Sequence, residues 1–443
     1  MTSPEAVAER VLEEVPDGLE AEVMVSDATS SLTRFANSFI HQNVSEESTT
    51  ISLTLVSDGR VATSSGTVPL DDLPAFVRHA AEATAAAPLN PDWPGVTPPT
   101  EVAPSLPVPE STATATPGDR ARLVSGFVAA GNGMRAAGYC QTGVSRVVFA
   151  NSAGHRAVGT AASATLDGIH QTDTSAGSGH ASSRDVSDID AGAAGRLAAD
   201  RAARSEVTTE IEPGEYEVVL APEAAATLLL FLAVYGFNGK AVNEGQSFVT
   251  LGQQQFDPAL ELIDDGTDPR AMRLRFDSEG TPKRRTELVN GGISRNVAFD
   301  RREARKAGTE SSGHATSFYG TNLGPIATDL YLTPGDLEPE SLIAGVERGL
   351  YVSTFNYVRI LDPRTTVATG LTRNGTFLIE DGRISAAVSN LRFTQSFAAA
   401  VAPGAVLAIG DDARFADSEF GPGFVHTPSI RLGSWRFTGG ASG

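Results

Sequence analysis

Polar and apolar residues alternate through EAEVMVS and again through TRFANSFIHQNVSEESTTISLTLVSDGRVATSSG. That is the period of half-buried antiparallel strands, with SDGR as a turn. The opening MTSPEAVAERVLEEV has instead the spacing of an amphipathic, acidic helix. DDLPAFVRHAAEATAAA predicts a second helix and DRARLVSGFVAAG a third. Between them, NPDWPGVTPPTEVAPSLPVPESTATATPGD is too rich in proline for regular structure and predicts a crossing that hugs the surface. Strand patterns return in RVVFANSAGHRAVGT, with NSAG as a hairpin turn, and in SATLDGIHQTDTSAG. VSDIDAGAAGRLAADRAARS then closes this half as a long helix.

The polar connector EVTTEIEPGEY leads into a strand, EYEVVLA, and then into residues 220–239, LAPEAAATLLLFLAVYGFNG, the most apolar stretch of the chain. Its uninterrupted apolar part, Ala224 to Tyr235, falls short of the roughly 20 residues a bilayer needs. Pro222 and Glu223 before it and Gly236 after it read as helix punctuation. A helix apolar on every face is buried on every face. Beyond it the pattern is of short strands and Gly/Pro turns, with strands expected in AMRLRFDS, GLYVSTFNYVRIL, GTFLIEDGRISAAVSNLRFTQS and SIRLGSWRFTG. Strands and helices do not alternate in a βαβ rhythm, so the expected class is α+β, two domains with largely antiparallel sheets. Residues 1–207 are expected to form an N-terminal α+β domain. Residues 214–443 are expected to form a mainly antiparallel β domain containing the buried 223–235 helix.

Composition narrows the function. Acidic residues outnumber basic ones by 54 to 34, for a formal charge of −20. Phosphate backbones are bound by clustered Lys and Arg, so direct nucleic-acid binding is not expected. The N-terminus lacks the basic start and apolar middle of a signal peptide, and no membrane span is expected, so a cytoplasmic location is. The single cysteine, Cys140, excludes an internal disulfide and any CxxC zinc pattern.

The usual catalytic patterns are missing. The seven histidines (41, 79, 155, 170, 180, 314, 426) include no HExxH pair, and GxSxG is absent. GFNGKA lacks the earlier glycine of a phosphate loop and follows a helix. Asp185, Asp188 and Asp190 in SRDVSDIDAG fit a capped helix start better than a calcium loop. GSGHASSRD (177–185) and GTESSGHATSFYGTN (308–322) each set a His in a Ser/Gly-rich stretch, which suits either a surface turn or a binding loop. An enzyme with another catalytic set, using His180, His314 or Cys140, is a reading that the residues leave open.

Five segments in order resemble the TldD/PmbA family, once described as modulators of DNA gyrase. They are TRFANSFIHQN, VVFANSAG, EYEVVLAPEAAATLLLFL, SSGHATSFYGTNLGPIATDLYLTPGD and GLTRNGTFLIEDGRISAAVSNLRFTQS. The resemblance implies two α+β domains and a peptidase of two related subunits. In the TldD type, the helix opening the C-terminal domain carries HExxxH, and a later Cys completes a zinc site. On this chain those positions are Leu230, Phe231 and Tyr235, and no Cys follows residue 140. Leu and Phe offer zinc no lone pair, and Tyr is a rare ligand. The chain therefore resembles the TldE/PmbA type, although GLYVSTFNYVRILDPRTTVATGLTRNGTFLIEDG departs from the better-known PmbA form.

The resemblance implies a subunit with no catalytic residue, metal or cofactor of its own, with zinc in a TldD-type partner and small unfolded or modified peptides as substrates. The alternative is a standalone peptide-binding or scaffold homodimer. Candidate residues along the substrate path are Asn37, His41 and Gln42 in NSFIHQN, and His314, Ser317, Tyr319 and Asn322 in SSGHATSFYGTN. Both segments mix groups that can pair with a peptide main chain and apolar neighbours.

Overall fold

The computed structural model describes residues 2–316 and 323–440. The N-terminal half runs α1 (Pro4–Glu13), β1 (Glu20–Ala36), β2 (Phe39–Ser57), β3 (Arg60–Gly66), α2 (Leu73–Ala86), a single turn α3 (Glu110–Ala113), α4 (Pro117–Ala129), β4 (Arg135–Asn151), β5 (Arg156–Gln171), β6 (Ala176–Ser183) and α5 (Ala191–Arg204). Its six strands form one antiparallel sheet in the order β3-β2-β1-β4-β5-β6. Alternation along β1 decides the layers. Val23 and Val25 turn to α1 and α2, packing with Val7, Val11 and Val77, and Phe35 turns to Phe127 of α4. Met24 points the other way, with Val147 and Phe149, onto Leu274 and Phe276 of the C-terminal half.

Local chemistry explains several ends. Thr116 and Asp119 form a reciprocal capping box at the start of α4. The Asp190 carboxylate accepts from Ala193 N to cap α5, the role expected of that acidic cluster. Asn37 and Ser38 both have positive φ and make the two-residue turn between β1 and β2. The stretch GSGHASSRD, expected to be a loop, is mostly strand β6. Gly177 and Gly179 let this strand lie directly under α5, where a Cβ on Gly179 would come within 1.9 Å of the Ala194 carbonyl oxygen.

The C-terminal half holds β7 (Thr208–Thr209), β8 (Gly214–Leu220), α6 (Pro222–Tyr235), α7 (Gly239–Asn243), β9 (Leu262–Asp265), β10 (Arg285–Asn290), β11 (Ile293–Ser294), α8 (Arg301–Ala307), β12 (Leu330–Leu332) and α9 (Pro339–Ala344). It continues with β13 (Arg348–Asp362), β14 (Val367–Glu380), β15 (Arg383–Val388), β16 (Leu391–Ser396), α10 (Phe397–Ala400), β17 (Val406–Ile409), β18 (Arg414–Ala416), β19 (Val425–Thr427) and β20 (Ile430–Gly440). One sheet runs β13-β8-β20-β16-β14-β15-β7. Because β13 also pairs with β14, its first five strands close into a ring. A second sheet runs β11-β10-β9-β12-β19-β18. Pairing is antiparallel except at β8–β13, β12–β19 and β7–β15. Helix α6 packs on β8 and β13 on one side and on β18 and β19 on the other, and every residue from Pro222 to Val234 is buried. None of the helices among the described residues is long and apolar enough to cross a membrane.

One expected strand is not there. Ala271–Ser278 forms only an isolated bridge, Phe276 to Pro282. Its alternation is real, but the apolar side chains go to different places: Met272 to Tyr331 and Phe415, Leu274 and Phe276 across to the N-terminal sheet. The segment joins the two halves and does not extend a sheet.

Candidate functional site

The start of α6 lies on the seam between the halves. Pro222 occupies the first turn, where its missing N–H costs nothing, and Glu223 follows it. The Glu223 carboxylate accepts from Arg414 Nη2 at 2.8 Å through Oε1, and its Oε2 lies 3.5 Å from Arg201 Nη2. Burial alone would raise this carboxyl. Arg414 and Arg201 overcome that and hold it at about 2. Close by, burial pushes the His180 imidazole down to about 4, with its Nδ1 4.0 Å from Asp167 and its Nε2 3.1 Å from Ser182 Oγ. Burial, and then the charge of Glu223, raises Asp167 to about 6. Burial, and then Asp167, raises Asp417 to about 7.

These raised acids have a testable consequence. A carboxyl whose folded value lies above its unfolded one is disfavoured when ionised, so stability falls as pH rises between the two values. For Asp417 that window runs from 3.8 to about 7. Asp417→Asn is expected to be more stable than the parent at pH 8, by on the order of 1–2 kcal/mol after discounting for its partial solvent contact. Near pH 4 the two should be alike, which urea unfolding at the two pH values measures.

Further along α6, Leu230 and Phe231 are fully buried and Tyr235 is partly buried. The Phe231 ring lies 5.6 Å from Tyr235, 5.6 Å from Phe397 and 5.5 Å from Phe420. Aromatic rings fill this region and present no lone-pair donor apart from the Tyr235 hydroxyl, whose pKa burial raises. These residues do not fit a zinc ion. Among the described residues, no group of three His, Cys, Asp or Glu side chains is arranged to hold a metal.

The third group is built on His314. Its ring is buried, with Nδ1 2.8 Å from Ser312 Oγ and Nε2 2.9 Å from Asp264 Oδ1. The other Asp264 oxygen accepts from Asp329 N at 2.8 Å, and Asp329 is paired with Lys283. Burial raises the Asp264 carboxyl, but His314 and Lys283 reverse the shift and hold it low. The array has the residue types of a hydrolase triad, but the Ser312 hydroxyl also accepts from Phe299 N at 2.8 Å and the imidazole is closed off from solvent. Neither ring nitrogen of His314 is left for a peptide. The ring instead braces the segment, with the His314 carbonyl accepting from Ile326 N at 3.2 Å. Ser317, Tyr319 and Asn322 lie outside the described residues.

Asn37, His41 and Gln42 are exposed at one end of the N-terminal sheet, Asn37 in the turn and the other two on β2. Strand β3 pairs only with Ile51–Ser57 of β2, so among the described residues the outer edge of 39–50 has no neighbouring strand. Phe39 and Val44 on that edge are 59% and 42% exposed. Cys140 is buried, and its thiol is pushed up to about 12 by burial, far from the thiolate a nucleophile needs.

Residues 213–439, just over half of the chain, match the PmbA/TldA metallopeptidase C-terminal domain. The chain belongs to the TldD/PmbA family.

The chain is 27% identical over 160 residues to a metalloprotease of Methanothermobacter thermautotrophicus, covering 36% of this chain and 35% of that protein. It is 29% identical over 178 residues to the metalloprotease TldD homolog of Haemophilus influenzae, covering 39% and 36%. It thus spans about a third of the length of these curated relatives. TldE from Thermococcus kodakarensis superposes with a TM-score of 0.85 at 17% identity, over 98% of this chain and 99% of that one. A Thermotoga maritima protein, a proposed modulator of a DNA gyrase, gives 0.84 at 16% identity, over 98% and 100%. At such identities the likeness establishes the fold: α+β, mainly antiparallel, of TldD/PmbA type. Within this family member no His is followed by Glu at any position.

The ion group around Glu223 and the brace around His314 leave little trace in the sequence. The sequence marks Glu223 only as helix punctuation, and its partner Arg414 is 191 residues away. Ser312 stands two residues from His314, a local signal, but Asp264 is 50 residues off.

Proposed function

We propose that this chain is the metal-free subunit of a two-subunit zinc metallopeptidase of TldD/TldE type, acting in the cytoplasm on small unfolded peptides. One observation carries the reading. The helix that would bear HExxxH in a TldD-type subunit carries Leu230, Phe231 and Tyr235, with Phe231 locked among aromatic rings. A partner of TldD type would supply the zinc. The fold likeness to TldE supports the assignment.

The open edge of β2 supports a part in peptide or partner binding, because an unpaired strand offers main-chain donors and acceptors in register. His41 and Gln42 lie on this edge, next to exposed apolar side chains. The same edge would serve a standalone peptide-binding homodimer, the second reading.

Co-expression with a TldD-type partner separates the two. The first reading expects a complex holding both chains that cleaves an unfolded peptide, with neither activity nor zinc in the isolated chain. A self-associated chain that binds peptide, takes up no such partner and adds nothing to its activity would favour the second. In the reconstituted complex, Tyr319→Ala and Asn322→Ala are expected to slow peptide turnover several-fold while assembly is unchanged. Unaltered turnover in both variants would remove that segment from the substrate path.

A further inference from the structure

We infer that a pocket between the two halves binds a small oxyanion, a carboxylate or phosphate group, through Arg184, Arg273 and Arg275. The pocket, about 250 Å³ including its mouth, is lined by these three side chains together with Leu106, Thr160 and Gly266. Little of that volume is closed off from solvent, so it has room for no more than a single small charged group.

Among the described residues, no carboxylate lies within ion-pair distance of the three guanidinium groups. In a chain with formal charge −20, none of them forms a salt bridge with a described residue. Arg184 Nη2 donates to the Pro107 carbonyl at 2.7 Å, and Arg275 donates to the carbonyls of Pro104 at 2.9 Å and Thr267 at 3.1 Å. Those bonds fix the side chains in place without neutralising them. Proline suits this wall, since it supplies a carbonyl and no competing N–H. The Nε atoms of all three arginines are buried without a hydrogen-bond partner. Arg273 donates no hydrogen bond to any described residue, and its guanidinium carbon lies 3.9 Å from the centre of the Phe424 ring. A guanidinium held by its face keeps its donor edge for a planar or tetrahedral oxyanion.

The nearby acids are already engaged. Asp329 pairs with Lys283, Asp264 with His314, and Asp185 accepts from Ser111 and Ser187. Burial lowers the pKa of Arg184 and of Arg273; Asp185 offsets this in part at Arg184, where Arg275 acts against the charge, and Asp329 and Asp264 offset it in part at Arg273, but none of them reverses it. Like charges partly removed from water with free donors are stabilised by an anion from solution. None of the pocket's lining residues belongs to α6 or to the edge of β2, so anion binding there can be tested apart from the peptidase reading.

Thermal unfolding of the full chain at constant ionic strength tests it, with chloride exchanged for inorganic phosphate in one series and for acetate in another. The expected result is a saturable rise in Tm, on the order of 3 °C, with at least one of the two anions. Which anion acts identifies the group. Arg273→Gln and Arg275→Gln should abolish most of that rise, and Arg273→Lys, which keeps the charge but loses the fork, should keep part of it. Should Arg273→Gln not fold, Arg184→Gln at the same pocket serves in its place. No rise with either anion, or an equal rise in the parent and the glutamine variants, would overturn the proposal.

Discussion

Replacing Leu230 and Tyr235 by His and Phe231 by Glu is expected to weaken the fold by several kcal/mol without creating a zinc site. Phe231 is fully buried and meets three aromatic rings, so losing it alone costs about 3–5 kcal/mol. A carboxylate in its place has no cation within the apolar cluster and must either protonate or pull in water. Two added histidines supply ligands, but the cluster has no room prepared for an ion, and no Cys occurs after residue 140 to complete the set. The urea midpoint and the zinc content of the triple variant measure both parts. A variant that unfolds at the parental midpoint and holds one tightly bound zinc would show α6 to be an emptied metal site, not a repacked core.

Glu223→Ala should be nearly as damaging. It leaves Arg201 and Arg414 facing each other across the seam with no anion between them, and breaking such a buried group typically costs about 3–5 kcal/mol. Glu223→Gln, which keeps the volume and an acceptor, should cost less. The pH dependence gives a second readout. The folded carboxyl sits at about 2, below its ordinary 4.5, so its stabilisation is complete above 4.5 and is lost as pH falls from there towards 2. The alanine variant should lack that acid limb in its unfolding profile. An unchanged limb would mean that Glu223 gains nothing from its two arginines.

The two predictions draw on features of unequal visibility in the sequence. That α6 is a buried helix was readable from its unbroken apolar run, and the antiparallel N-terminal sheet from its alternation. Both are local patterns that burial enforces directly. Ala271–Ser278 had the same alternation and is not a strand, since alternation reports which side chains are buried and not whether another strand lies alongside. The closed ring made by β13 pairing with β14 was not legible for the same reason. Charge networks were the least legible part. Glu223, Arg201 and Arg414 come from three elements, and only the fold shows that one carboxylate serves two guanidinium groups. His314 stood out as a candidate because it lies in a polar stretch, yet its burial and its bond to Asp264 depend on a strand 50 residues earlier. The arginine pocket has no distinct signal in a chain whose basic residues are nearly all arginine.

The central claim, that this family member is the subunit without a metal, is tested most directly by the zinc content of the isolated chain after purification with zinc in the medium. The account predicts far less than one zinc per chain, with no gain in Tm on adding zinc. One zinc per chain, retained through gel filtration, would contradict it.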